Sequence, residues 1–141
     1  MSKILLFQPK NRDVHLLVGG KVCEYETCEE AIKREVLEEL GYTVVDLSLL
    51  AISEEFVHDK NFDNQQMNVI YKGIYEGDTS IKEFHGLEGD RATYKWVDVK
   101  DIENYNIYPS KTKEIVKDLS RTYHIVENLL DKNVDSKNGK C

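Results

Sequence analysis

Glu35, Glu38 and Glu39 stand at i, i+3 and i+4 in the stretch GKVCEYETCEEAIKREVLEELGY, residues 20–42. On a helix that spacing crowds three carboxylates into one sector of the surface, where like charges repel. Lys33 and Arg34 relieve the repulsion only in part. Hard divalent cations that prefer oxygen ligands, Mg²⁺ or Mn²⁺, would resolve it. A plain solvated acidic face is the alternative for an arbitrary Glu-rich helix. The wider spacing argues against it, because Gly20, Glu26, Arg34 and Gly41 complete the pattern G-x5-E-x7-R-E-U-x-E-E-x-G-U, where U is a bulky apolar residue. Val36 and Tyr42 fill the two U positions.

The same stretch carries the signals for the helix that must hold these groups. Thr27 and Glu30 form a capping box, which predicts a start at about Thr27. CEEAIKREVLEEL contains neither Gly nor Pro. Gly41 supplies a left-handed stop. Ala31, Ile32, Val36 and Leu40 make an apolar stripe suited to packing on a sheet.

The spacing resembles the signature of the Nudix family, whose members typically hydrolyse a nucleoside diphosphate linked to another group. The resemblance implies a mixed α/β fold, an α/β/α sandwich around a mixed sheet. It implies that Glu35, Glu38 and Glu39 bind Mg²⁺ or Mn²⁺, with the carbonyl of Gly19 or Gly20 as an additional ligand. By the same resemblance Glu35 is a candidate general base, and Glu35, Glu38 and Arg34 are catalytic, Arg34 by orienting a carboxylate through pairing with Glu26 or Glu35. Glu26 and Gly41 look architectural, as does Gly20. Many members add a carboxylate from a downstream loop before a Trp-bearing strand. Here EFHGLEGDRATYKW offers Glu88 first, then Asp90 and Glu83. His58 and His85, also in predicted loops, are candidate phosphate contacts, against the commoner case of a solvated histidine.

The resemblance leaves the substrate open. The stretch EEFVHDKNFDNQQ lacks the proline associated with ADP-ribose hydrolases and the tyrosine associated with diadenosine polyphosphate hydrolases. Motifs linked to coenzyme A and NADH cleavage are also missing. Phe56, Phe62, Tyr71, Tyr75 and Tyr94 are candidates to stack on a base, though aromatics at strand spacing more often build core. Family members usually have a longer segment before the Gly-Gly pair, often with Trp or Pro, and HLLVGG has neither.

Composition bounds the function classes. The chain has 141 residues, 40% hydrophobic and 32% charged, with a net charge of −7. That charge argues against DNA duplex binding, which needs a basic surface. It is compatible with a small phosphorylated substrate, because metal ions would carry the positive charge. No apolar run approaches a membrane span, and MSKILLFQPK is too short in its apolar part for a secretory signal. These features predict a cytoplasmic enzyme, and the family resemblance allows a homodimer. Cys23, Cys28 and Cys141 show no paired framework, which suits reduced thiols. Cys23 and Cys28 with His15 lack the further ligand pair a zinc site requires.

Around the helix, strands are predicted over 3–7, 14–18, 43–53, 67–75 and 94–97. VDVKDIENY reads as a turn-like connector. From Ser110 to about Asp131, Ile115, Leu119, Tyr123, Val126 and Leu130 recur at three or four, which predicts a long helix with Ser110 as N-cap. A single domain over 1–131 and an unfolded tail over 132–141 are expected. Two readings of other classes stand beside the hydrolase: a Nudix-like module that senses a nucleotide without turning it over, and a scaffold whose acidic helix pairs with a basic partner.

Overall fold

Helix α1 spans Cys28–Leu40, the residues its sequence signals delimit. Thr27 accepts from the Glu30 N–H while the Glu30 carboxylate accepts from the Thr27 N–H, so the capping box is complete. Gly41 closes the helix at φ 80°, with its N–H donating to the Leu37 carbonyl. These contacts come from a computed structural model, which describes residues 2–59 and 62–128.

Two sheets receive the helix. Strands β1 (Lys3–Pro9), β2 (His15–Leu17), β5 (Glu83–Gly86), β6 (Gly89–Asp98) and β7 (Ile107–Tyr108) form a sheet in the order β5-β6-β1-β2-β7. Strands β3 (Val44–Asp59), β4 (Phe62–Tyr75) and β8 (Tyr123–Asn128) form a second, ordered β4-β3-β8. Both are mixed, since β2 runs parallel to β7 and β3 parallel to β8 while the remaining pairs are antiparallel. The mixed α/β class expected of a Nudix domain is what is observed.

Val36 and Leu40 of α1 pack with Tyr94 against Leu5, Phe7 and Phe84 on one face of the larger sheet. Leu6, Val97, Ile102 and Ile107 fill the opposite face, under a 3-10 helix at Val99–Asn104. That turn of helix is the connector expected of VDVKDIENY. On the smaller sheet, Leu50, Ala51 and Ile125 pack against Ile115 of the short helix α2 (Thr112–Ile115).

Two expectations fail. The long C-terminal helix is absent: α2 is one turn, and Tyr123–Asn128 is a strand. Ser110 does not cap a helix, because its N–H and hydroxyl both donate to Glu127 of β8. The Asp118 carboxylate accepts from the Ser120 N–H and hydroxyl, a local turn that competes with helix. Leu119 and Val126 of the supposed stripe are exposed, whereas Ile125 is buried, so the period that packs is two. Leu130 and residues 131–141, including Cys141, lie outside the described residues. The second failure is the loop EFHGLEGDRATYKW, which is the β5–β6 hairpin. Phe84 stacks on Tyr94 with ring centroids 5.7 Å apart, and Gly89 at φ 83° closes the turn.

Candidate active site

Helix α1 carries its carboxylates to a cleft of about 470 Å³ against the β1–β6 end of the larger sheet. Glu35, Glu38 and Glu39 line one wall together with Gly19. Phe7 and Pro9 of β1, the β5–β6 turn with Glu88, and Arg91, Ala92 and Tyr94 of β6 line the other. Burial is graded along the trio. Glu39 is buried, Glu35 is one-fifth exposed and Glu38 is half exposed.

Arg34 braces the group. Its Nε donates to Glu26 Oε2 at 2.7 Å, its Nη1 to Glu35 at 3.0 Å and Glu38 at 3.1 Å, and its Nη2 to the Lys21 carbonyl at 3.0 Å. Glu26 thus links the guanidinium to the loop, where its other oxygen accepts from the Cys23 N–H. The hydrogen bond from Arg34, with help from Cys23, holds the Glu26 carboxyl down at about 2. Gly20 lies against Glu35, and a side chain at position 20 would run into that carboxylate.

Glu39 is held differently. The Tyr94 hydroxyl donates to its Oε1 at 2.6 Å, while Oε2 is buried without a protein partner. Burial pushes its carboxyl above the ordinary value; the Tyr94 bond opposes this and the charges of Glu35 and Glu88 add to it. Burial and the Glu39 bond likewise push the Tyr94 hydroxyl up. No group of three or more His, Cys, Asp or Glu among the described residues is arranged to hold a metal ion as it stands. Arg34 donates to Glu35 Oε1 and to both oxygens of Glu38. The donor set nevertheless suits a hard cation, since it is oxygen-rich and includes a buried carboxylate oxygen lacking a partner.

The downstream carboxylates separate clearly. Glu88 faces the cleft and pairs with Arg91 at 2.5 Å. Asp90 pairs outward with Lys10 at 2.8 Å. Glu83 pairs with Lys95 at 3.3 Å at a different hollow, lined also by Lys3, Trp96 and Tyr105. His85 is in a strand, not a loop, and its ring Nδ1 meets the Ala92 carbonyl at 3.2 Å, away from the cleft lining. The backbone of His58 is likewise in strand β3; its side chain and that of Phe62 lie outside the described residues. His15 packs edge-on against Tyr105 at 5.2 Å, and Cys23 is exposed. Of the candidate stacking aromatics whose side chains are among the described residues, Tyr94 lines the cleft and Phe56, Tyr71 and Tyr75 do not. Sequence reasoning missed Tyr94 as the partner of Glu39, and it missed Phe7, Pro9, Ala92 and Arg91 as walls. Their only signal is the β1–β6 register, which brings Phe7 opposite Tyr94 and Pro9 opposite Ala92.

A protein-family model of the NUDIX domain matches residues 1–119, and the chain belongs to the Nudix family. The fold is similar to that of a solved structure described as the mMutator MutT protein from Bacillus halodurans. That likeness has a TM-score of 0.65 and 24% identity, covering 86% of this chain and 81% of the other. No curated protein matches.

Proposed function

We propose that this chain is a Mg²⁺- or Mn²⁺-dependent hydrolase that cleaves the diphosphate linkage of a nucleoside diphosphate joined to another group. The observation that carries the reading is the buried Glu39 carboxylate, with one oxygen fixed by Tyr94 and the other unpartnered, beside Glu35 in the cleft. An unpaired buried carboxylate is costly, and a cation removes that cost.

Glu35, Glu38 and Glu39 would hold the cations, with the Gly19 carbonyl and Glu88 completing the set. Bound there, the cations supply positive charge to the diphosphate oxygens and acidify water. Arg34 holds Glu35 so that its carboxylate accepts a proton from the attacking water. Glu38 shares the Arg34 brace and contributes charge at the open side of the cleft. Tyr94 fixes the orientation of Glu39, and Gly20 leaves room for Glu35 to approach the loop. The missing partner atoms at Glu39 also suit a module that binds a nucleotide without turnover.

Purified protein with Mg²⁺ or Mn²⁺ should release phosphate or diphosphate from one class of nucleotide derivative, and Glu38→Gln should abolish it. The panel would include nucleoside triphosphates, nucleotide sugars, ADP-ribose, dinucleoside polyphosphates and capped RNA. Saturable metal binding with no turnover across that panel would sink the hydrolase in favour of the sensing module. No saturable metal binding would sink both and leave the acidic scaffold.

A further inference from the structure

The cleft has a charge pattern that the proposed chemistry does not use. Among the described residues its ionisable lining consists of four glutamates, Tyr94 and a single cation, Arg91. Arg91 sits on the β6 wall, across from the α1 carboxylates. Its backbone is fixed, since the Lys10 N–H donates to the Arg91 carbonyl at 2.8 Å and the neighbouring Ala92 pairs with Pro9. Its side chain is 74% exposed, and the bond to Glu88 uses one of five N–H donors. The charge of Arg91 is felt at the Tyr94 hydroxyl, on the same strand.

Among the described residues the lining also lacks Ser, Thr, Asn, Gln and His. Those neutral donors and acceptors are the side chains that read sugar hydroxyls, and sites without them discriminate poorly among polar uncharged groups. A planar guanidinium matches phosphate oxygens in bidentate fashion.

We infer that Arg91 is a specificity-determining residue that binds a terminal phosphate, so that the cleft takes a substrate of the nucleoside triphosphate class over a diphosphate capped by an uncharged sugar. This assignment rests on the hydrolase reading for its turnover arm, but its binding arm stands without it. Lys10 is the internal control. It is a neighbouring cation of equal charge, yet it is tied to Asp90 and does not line the cleft.

The test uses inorganic triphosphate with Mg²⁺, titrated calorimetrically into the full chain and into Arg91→Gln, Arg91→Lys and Lys10→Gln. Arg91→Gln should weaken binding roughly ten- to a hundredfold, the range for loss of a charged hydrogen-bonding partner. Arg91→Lys should recover part of that loss, and Lys10→Gln should change affinity less than about threefold. Equal effects of Arg91→Gln and Lys10→Gln would overturn the assignment, as would a wild-type chain that does not bind triphosphate. In turnover, Arg91→Gln should lower kcat/KM for a nucleoside triphosphate and leave a nucleotide sugar unchanged. Equal loss on both classes would overturn the role of Arg91 and leave the hydrolase standing. Arg91-dependent triphosphate binding with no turnover of any substrate would sink the hydrolase and leave the phosphate site.

Discussion

Glu35 and Glu39 differ in what holds them, and the difference separates their expected phenotypes. Glu35 is oriented by Arg34 and lies close against Gly20, so Glu35→Gln should lower kcat by about 10²–10⁴-fold with little change in KM. Equal losses in kcat and affinity would place Glu35 in binding instead. Tyr94→Phe removes one hydrogen bond to Glu39 and keeps the ring in the core. It should raise the Mg²⁺ concentration needed for half-maximal activity by roughly tenfold while folding is preserved, as positioning partners of metal ligands do. An unchanged metal requirement would mean the hydroxyl serves only packing. Glu26 gives a pH signature. Its folded carboxyl lies near 2 against an ordinary 4.5, so the Arg34 brace stabilises fully above about pH 4.5 and is lost as pH falls toward 2. Thermal melts of wild type and Glu26→Gln should therefore converge across that window. A constant gap down to pH 2 would deny the brace its electrostatic character.

Elements defined by neighbouring residues were legible, and elements defined by distant ones were not. The bounds of α1 follow from Thr27, Glu30 and Gly41, all within one turn of its ends. The helix signals and the i, i+3, i+4 spacing therefore put Glu35, Glu38 and Glu39 in one sector of the helix surface, without any tertiary contact. Strand β8 has no comparable local mark. YHIVEN fits a helical stripe about as well as an alternating one, and pairing with β3 decides between them. The β5–β6 hairpin was hidden by its Gly and charge content, which look like loop until Phe84 finds Tyr94. The cleft's second wall was illegible for the same reason, since it depends on register between strands far apart in the chain. The two assignments predict opposite outcomes for the tail of the domain. Ile125 is buried among Leu50, Ala51 and Ile115, so Ile125→Ala should cost about 2–4 kcal/mol in denaturant melts. Val126→Ala, at the exposed neighbouring position, should cost under about 0.5 kcal/mol. The reverse ranking would restore the helix.

At the scale of the whole molecule, the acidic balance and the cleft point to linkage between cation and stability. A chain of net charge −7 with a buried unpaired carboxylate should gain stability from Mg²⁺ or Mn²⁺, by about 2.7 kcal/mol at a hundred times Kd. The gain should vanish in Glu39→Gln, and a melt indifferent to either metal would count against the cation site. Among the described residues no helix is long and apolar enough to cross a membrane.

Tyr94 reaches Glu39 from 55 residues downstream, and β1 finds its partner β6 only at the far side of the β3–β4 hairpin. A nascent chain emerging from its N-terminus therefore exposes the acidic helix long before the wall that completes its cleft. The β3–β4 hairpin can zip by itself, whereas Leu6 must wait for Lys95. Non-local pairing of this kind slows folding, because loop closure comes before the contacts that reward it. The order of synthesis thus sets the order of competence. Glu35, Glu38 and Glu39 are made early, but they share a cleft with their facing wall only after the chain has grown past Trp96.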